Sequence, residues 1–145
     1  MKKFISAVFR PAFGICLFLS QFTGNRNSLF TDNPYLLAFG GVFVLAGISL
    51  LIAASRHLNK AVKAEKIATT GPFKYVRHPI YLGAYVICFG LGLVFFAWAW
   101  FAVMILFFPF WYLEGKTEEE EMQKRFGQEY ISYQEGTGMF FPKVF

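Results

Sequence analysis

Charge is scarce in this chain and unevenly spread. Charged residues make up 16% of the 145 positions, and none stands at positions 33–55 or 79–113. A soluble domain carries about 25% charged residues scattered along its length, so gaps of this size exclude an ordinary water-facing fold. Cysteine is rarer still: Cys16 and Cys88 each stand inside an apolar run, with no CxxC pair and no Cys/His cluster. A disulfide framework and a metal centre therefore have no ligands to draw on, and both cysteines read as small apolar fillers. No Pro-, Gly- or Ser-rich linker divides the chain and no repeat recurs at a solenoid period, so residues 1–145 are expected to form one domain.

Apolar residues are what the chain has in quantity. They supply 56% of it, with 21% aromatic and twenty phenylalanines, too many for one small aqueous core. The net charge of +5 raises the question of nucleic acid. The basic residues flank apolar runs instead of forming a stripe interleaved with aromatics, so no nucleic-acid partner is expected and the bilayer is the natural partner.

Positions 34–55 alone provide the roughly 20 residues that cross ~30 Å of hydrocarbon. The first apolar run, 4–22, is interrupted by Arg10 and Pro11; it spans if Arg10 snorkels to the interface. A cleaved signal peptide is the rival for that run, but Ser20, Gln21 and Phe22 do not form a small-residue cleavage site. The uncharged run 79–113 is 35 residues long. As one helix it would reach ~52 Å, so it is expected to be two helices joined by a minimal turn between Gly92 and Trp98. The fold expected is all-α: a multi-pass transmembrane helical bundle of about four spans, near 4–22, 34–55, 79–95 and 97–113, ending in a tight hairpin and a cytosolic docking helix. Lys2, Lys3, Arg56, Lys60, Lys63, Lys66, Lys74 and Arg77 fall on one side and Arg26 alone on the other, which places both termini in the cytosol, at the cell (inner) membrane. The loop 56–78 and the tail 114–142 then share one face.

Two segments on that face could carry chemistry. Thr70-Gly-Pro-Phe-Lys-Tyr-Val-Arg-His-Pro-Ile-Tyr-Leu-Gly83 puts an Arg-His pair directly before Pro79, a good first helical position. Tyr75, Arg77 and Tyr81 are equally the residue types that anchor any membrane helix end. In the tail, Thr117 and Glu120 match a capping box, and Glu118 to Glu121 suit the positive end of a helix dipole. Beyond them Met122, Phe126, Tyr130 and Tyr133 recur at helical spacing as one stripe of a docking helix, with Gly127 inside it implying close approach of a neighbour or ligand. The hairpin brings the two ionisable clusters together, and clusters meeting at a membrane surface suggest a site.

These residues, the Arg77-His78-Pro-Ile-Tyr81 motif followed after an uncharged hairpin by Thr-Glu-Glu-Glu-Glu and then Phe126-Gly-Gln-Glu-Tyr130-Ile-Ser-Tyr133, resemble the isoprenylcysteine carboxyl methyltransferase and phospholipid methyltransferase superfamily, over roughly residues 45–142. The resemblance implies an integral membrane methyltransferase using S-adenosyl-L-methionine. It implies that His78 and Tyr81 contact the cofactor, that Glu118 and Glu119 help hold it, and that Tyr75, Val76, Tyr130 and Tyr133 wall the pocket. Arg77 and His78 are the implied catalytic pair, Arg77 near the transferred methyl or the substrate head. Neighbouring registers within Glu118 to Glu121 satisfy the acidic motif as well. Phe73 stands where tyrosine is more usual, and about four spans are fewer than the eukaryotic prenylcysteine enzymes have.

The chemistry suits such parts. Methyl transfer from a sulfonium is an in-line displacement that needs positioning and water exclusion. A carboxylate can hold the cofactor's amino group, and aromatic faces suit its sulfonium. The acceptor is expected to be lipid-like, reaching the site laterally from the bilayer: Arg77 would orient a carboxylate, whereas His78 or a glutamate would take the proton of an amine, and a thiol also fits. Two other readings compete. Some membrane sterol reductases look similar around His-Pro-x-Tyr and bind NADPH there, and a non-enzymatic scaffold would use the same residues as interfacial anchors. The topology is checked directly by cysteine-accessibility labelling: residues 60 and 140 are expected to react from the same side, and opposite sides would overturn it.

Overall fold

The computed structural model describes residues 2–20, 22, 32–95 and 97–143. Among the described residues five α-helices follow in order, α1 (Lys2–Ser20), α2 (Pro34–Lys63), α3 (Pro79–Phe95), α4 (Trp98–Phe126) and α5 (Gln128–Gly136), with a 3-10 turn at Gly71–Lys74. Among the described residues there is no strand, only a single bridge between Val76 and Gly138. The connection carrying Arg26 lies outside the described residues, as do the Arg10 side chain and its expected snorkelling.

Each boundary has a local cause. α2 starts at Asn33, whose side-chain oxygen accepts from the backbone N–H groups of Tyr35 and Leu36 at 2.9 and 3.4 Å, with Pro34 in the first helical position. It runs 30 residues to Lys63, about 45 Å, which exceeds the ~30 Å of hydrocarbon and carries its basic end out of any bilayer. Residues 56–63 are therefore helix, a correction to the expected loop 56–78. α1 continues through Pro11, which costs it one backbone hydrogen bond without ending it.

The expected hairpin is present. α3 stops at Phe95, and α4 starts at Trp98. Trp100 closes the turn by donating its indole N–H to the Cys88 carbonyl at 2.7 Å, and Ala97 beneath it is fully buried. α4 is one continuous helix to Phe126, so the capping box expected at Thr117 does not start a helix: its hydroxyl donates to the Leu113 carbonyl one turn back, at 3.0 Å. The stripe expected along one docking helix is likewise divided. Met122 and Phe126 belong to α4, Tyr130 and Tyr133 to α5, and Gly127 between them adopts φ 57°, ψ −130°. A Cβ added at Gly127 would meet nothing within 4 Å, so the glycine serves backbone conformation and not close approach.

α2 packs antiparallel along α3 through glycines. A Cβ at Gly40 would fall 2.6 Å from the Gly90 carbonyl oxygen, and one at Gly47 would fall 2.7 Å from that of Gly83. Both pairs repeat at a spacing of seven, which lets the two backbones touch along two helical turns, the device of small-residue helix packing in lipid. On the other side α1 lies against α4, where Phe13 meets Phe107 and Trp111 at ring distances of 5.3 and 5.6 Å. The outer faces of the helices are apolar and exposed, including Leu37, Phe39, Val42, Leu45, Ile105 and Leu106. α2 and α4 are long and apolar enough to cross a membrane, while α3 and the stretch Pro11–Ser20 are shorter apolar helices.

Replacing Gly47 or Gly90 by valine is expected to lower the thermal midpoint of detergent-purified protein, since overpacking a tight contact costs about 1–3 kcal/mol or more. Gly41→Ala, where a Cβ meets nothing within 4 Å, is expected to leave the midpoint unchanged or raise it.

Candidate functional site

The site grows from the joint between the 3-10 turn and α3. Phe73 is buried in the turn, Tyr75 ends it in helical conformation at φ −102°, ψ −40°, and Val76 then forms the bridge to Gly138 before Pro79 starts α3. That piece is held by the C-terminal segment: the backbone N–H of Arg77 donates to the Gly138 carbonyl at 2.8 Å and that of His78 to Met139 at 3.1 Å. The C-terminal residues thus act as a clasp on the motif.

Against this joint lies the polar end of α4, the turns beyond its apolar stretch. Glu119 is 2% exposed. One of its oxygens, Oε1, accepts from Arg77 Nε at 2.7 Å and from His78 Nε2 at 3.2 Å; the other accepts from Gln134 Nε2 of α5 at 2.9 Å. Arg77 also donates through Nη1 to the carbonyls of Gln134 and Thr137. Glu118 has a half-exposed side chain; its Oε2 lies 3.6 Å from His78 Nδ1, and its Oε1 accepts from the Tyr81 hydroxyl. The His78 ring stacks on Tyr81 with centroids 5.4 Å apart and planes 4° from parallel. Tyr133 donates its hydroxyl to the Phe73 carbonyl at 2.6 Å, which ties α5 to the turn.

Charge follows this geometry. Burial favours the neutral form of His78, but the Glu118 and Glu119 carboxylates, by hydrogen bonding and charge, outweigh it and raise the imidazole pKa above 6.5. Burial pushes the Glu119 carboxyl up, and hydrogen bonds from His78 and Arg77 with their charges overcome it, leaving it at about 2. Burial, reinforced by the Glu119 charge, pushes the Tyr130 phenol up to about 12. Burial and the neighbouring Tyr130 push Tyr133 up as well, so both phenols stay protonated at neutral pH.

A cavity of 580 Å³ opens beside the cluster, within the ~300–1,000 Å³ typical of small-ligand sites. Of the expected site residues, Arg77, His78, Tyr81, Glu118, Tyr130 and Tyr133 line it. Glu119 sits behind that wall. Tyr75, 61% exposed with the Lys74 ammonium 6.0 Å from its ring centroid, and Val76, buried in the bridge to Gly138, are not part of the lining. Glu121, one turn from Glu118, also faces in, with Met122, Arg125 and Phe126. A third wall was not foreseen from the sequence: Leu58 and Val62 from the end of α2, then Glu65, Lys66, Ile67 and Ala68. The i, i+4 spacing of Leu58 and Val62 is the signal that could have extended α2. The clasp of residues 137–140 had no such signal, because one bridge leaves no periodicity. Among the described residues no group of three His, Cys, Asp or Glu could hold a metal ion.

A family model described as phospholipid methyltransferase matches residues 33–129, from the N-cap of α2 to the first turn of α5. No curated protein matches the chain.

The shifted groups define a pH window for stability. Glu119, depressed from 4.5 to about 2, contributes stability that is present above 4.5 and lost as pH falls from there through 2. His78, raised above 6.5, contributes stability that is present below 6.5 and lost as pH rises through its folded value. The stability difference between the parent and Glu119→Gln is expected to be largest between pH 4.5 and 6.5 and to narrow on both sides, measured by thermal unfolding in detergent across pH.

Proposed function

We propose that this chain, which belongs to the phospholipid methyltransferase family, transfers the methyl group of S-adenosylmethionine to an amine carried by a bilayer-held lipid. The observation that carries this reading is the cavity in which His78, Tyr81 and Glu118 converge at the junction of apolar helices and their polar continuations.

The residues fit such a cofactor. Glu118 and Glu121, three apart on one face of α4, offer carboxylates for an amino group, and Tyr81, Trp111 and Tyr130 offer aromatic walls for a cationic sulfur. When bound, S-adenosylmethionine supplies a methyl group already activated by its sulfonium. The protein's own part is to align the acceptor, exclude water and receive a proton.

Arg77 bears on the acceptor class. Its Nε and Nη1 are engaged by Glu119 and by two backbone carbonyls, so its fork is committed to the fold and poorly placed to orient an acceptor carboxylate. An amine needs no such fork. The proton that a methylated amine gives up would be taken by Glu118, the half-exposed carboxylate of the wall. Leu58, Val62, Ile80 and Ala84 give the cavity an apolar side, along which an acyl-bearing acceptor reaches the site without leaving the bilayer, avoiding exposure at ~25 cal/mol per Å².

The same reading takes α1 to α4 as four spans in the cell membrane with both termini cytosolic. α3, at 17 residues, reaches about 25 Å and crosses with local thinning or with its ends in the headgroup region. α5 then rests on the cytosolic face and closes the cavity over the cofactor.

Calorimetry of the detergent-purified protein is expected to show binding of S-adenosylmethionine and S-adenosylhomocysteine but not NADPH, and Glu118→Ala or Tyr81→Ala is expected to weaken binding by about tenfold or more. Tritiated-methyl transfer to amine lipids is expected to exceed transfer to the same head groups lacking their chains. Equal rates for a lipid and its chainless fragment would rule out lateral access, and absence of cofactor binding would overturn the assignment.

A further inference from the structure

We infer that the two adjacent glutamates have separate tasks, and that Glu119 is a positioning residue: it never touches the ligand but fixes which nitrogen of His78 faces the cavity. This rests on reading the cavity as the methyl-donor site, where Glu118 alone of the two meets the ligand.

The geometry separates them. Glu119 is almost fully buried, is absent from the cavity lining, and has both oxygens committed, Oε1 to Arg77 and His78 and Oε2 to Gln134. A carboxylate so placed has little accepting capacity left for a ligand and no path to one. Glu118, one residue earlier and about 100° around the helix, has a 45% exposed side chain and lines the cavity. An ionised Glu119 can only accept, so His78 Nε2 must carry its hydrogen towards it, which leaves Nδ1 on the Glu118 side. The logic is that of a carboxylate that orients an imidazole and stabilises its protonated form without reacting. Arg77 completes the arrangement: it balances the Glu119 charge and, through the Thr137 carbonyl, holds the clasp that accepts from the His78 backbone.

The groups around His78 are few enough to read its titration cleanly. Glu118 and Glu119 face it from α4, Tyr81 stacks on it from α3, Arg77 is its chain neighbour, and Tyr130 and Tyr133 stand nearby on α5. The chain contains two histidines, and the other, His57, bonds Thr70 away from the cluster. His57→Asn therefore leaves a single imidazole signal.

The experiment follows that signal in the full-length protein, by carbon-13 histidine NMR in nanodiscs, alongside the affinity for S-adenosylhomocysteine from pH 5 to 9, for the parent, Glu118→Gln, Glu119→Gln and Glu119→Asp. Glu119→Gln is expected to lower the His78 midpoint and to shift the pH profile of binding with it, while the best affinity stays within about threefold of the parent. Glu119→Asp, which keeps the charge, is expected to restore the midpoint. Glu118→Gln is expected to weaken affinity by about tenfold at every pH. An unchanged His78 midpoint in Glu119→Gln, or equal loss of affinity in both glutamine variants at all pH values, would overturn the division of tasks. If Glu119→Gln does not fold, Gln134→Leu decides: it removes the donor to the other oxygen and leaves more of the Glu119 charge for His78, so it is expected to raise the His78 midpoint, and an unchanged midpoint overturns the proposal. Should no variant and no parent bind the ligand, the functional reading fails, while the NMR midpoint still judges Glu119.

Discussion

The buried contact between Arg77 and Glu119 organises this protein's polar end. Both side chains are almost out of solvent, at 10% and 3% exposure, and their atoms are 2.7 Å apart. Removing one partner of such a pair leaves an uncompensated buried charge, at a cost of roughly 3–5 kcal/mol. Its value lies less in net stability than in what it arranges, because desolvation of two ions offsets much of their attraction. Through it, α4 is registered against the start of α3. Arg77 reaches on to Gln134 and Thr137, so α5 and the C-terminal clasp are set by the same residue.

The apolar half works on a different principle. Within lipid there is no hydrophobic gain from bringing two apolar helices together, so association depends on close packing and hydrogen bonds. The glycine pairs 40/90 and 47/83 supply the close approach of α2 to α3, and the aromatic layer of Phe13, Phe107 and Trp111 joins α1 to α4. Between these layers the end of α2 is held over the start of α3, which is what gives the cavity its third wall. Packing in the membrane part and ion pairing in the polar part thus meet at one place, around His78.

This division accounts for how far reasoning from residues reached. The uncharged runs located α2 and the α3–α4 hairpin, since length and absence of charge follow from the bilayer's thickness and dielectric without reference to neighbours. The same criterion misplaced the end of α2, because charge marks where a helix leaves the membrane and not where it stops. Thr117 with Glu120 imitated a helix start for a related reason. A capping box is a local pattern, and here the helix already in progress overrode it, with the hydroxyl turned back to Leu113.

What the sequence by itself determined is where the apolar helices lie and the chemistry available to them: a motif pair in the order Arg-His-Pro-x-Tyr then acidic run, and their arrival at one end of a tight hairpin. Only the tertiary structure decided which member of the acidic run faces the cavity, since four consecutive glutamates are alike in sequence and differ by about 100° each around the helix. It also decided that Arg77 is spent on Glu119, that Tyr75 points away while Tyr130 and Tyr133 point in, and that residues 137–140 clasp the motif. Those outcomes depend on contacts between residues some 40 to 60 positions apart, such as Arg77 with Glu119 and with Thr137. Composition and periodicity carry only local information and cannot register such contacts.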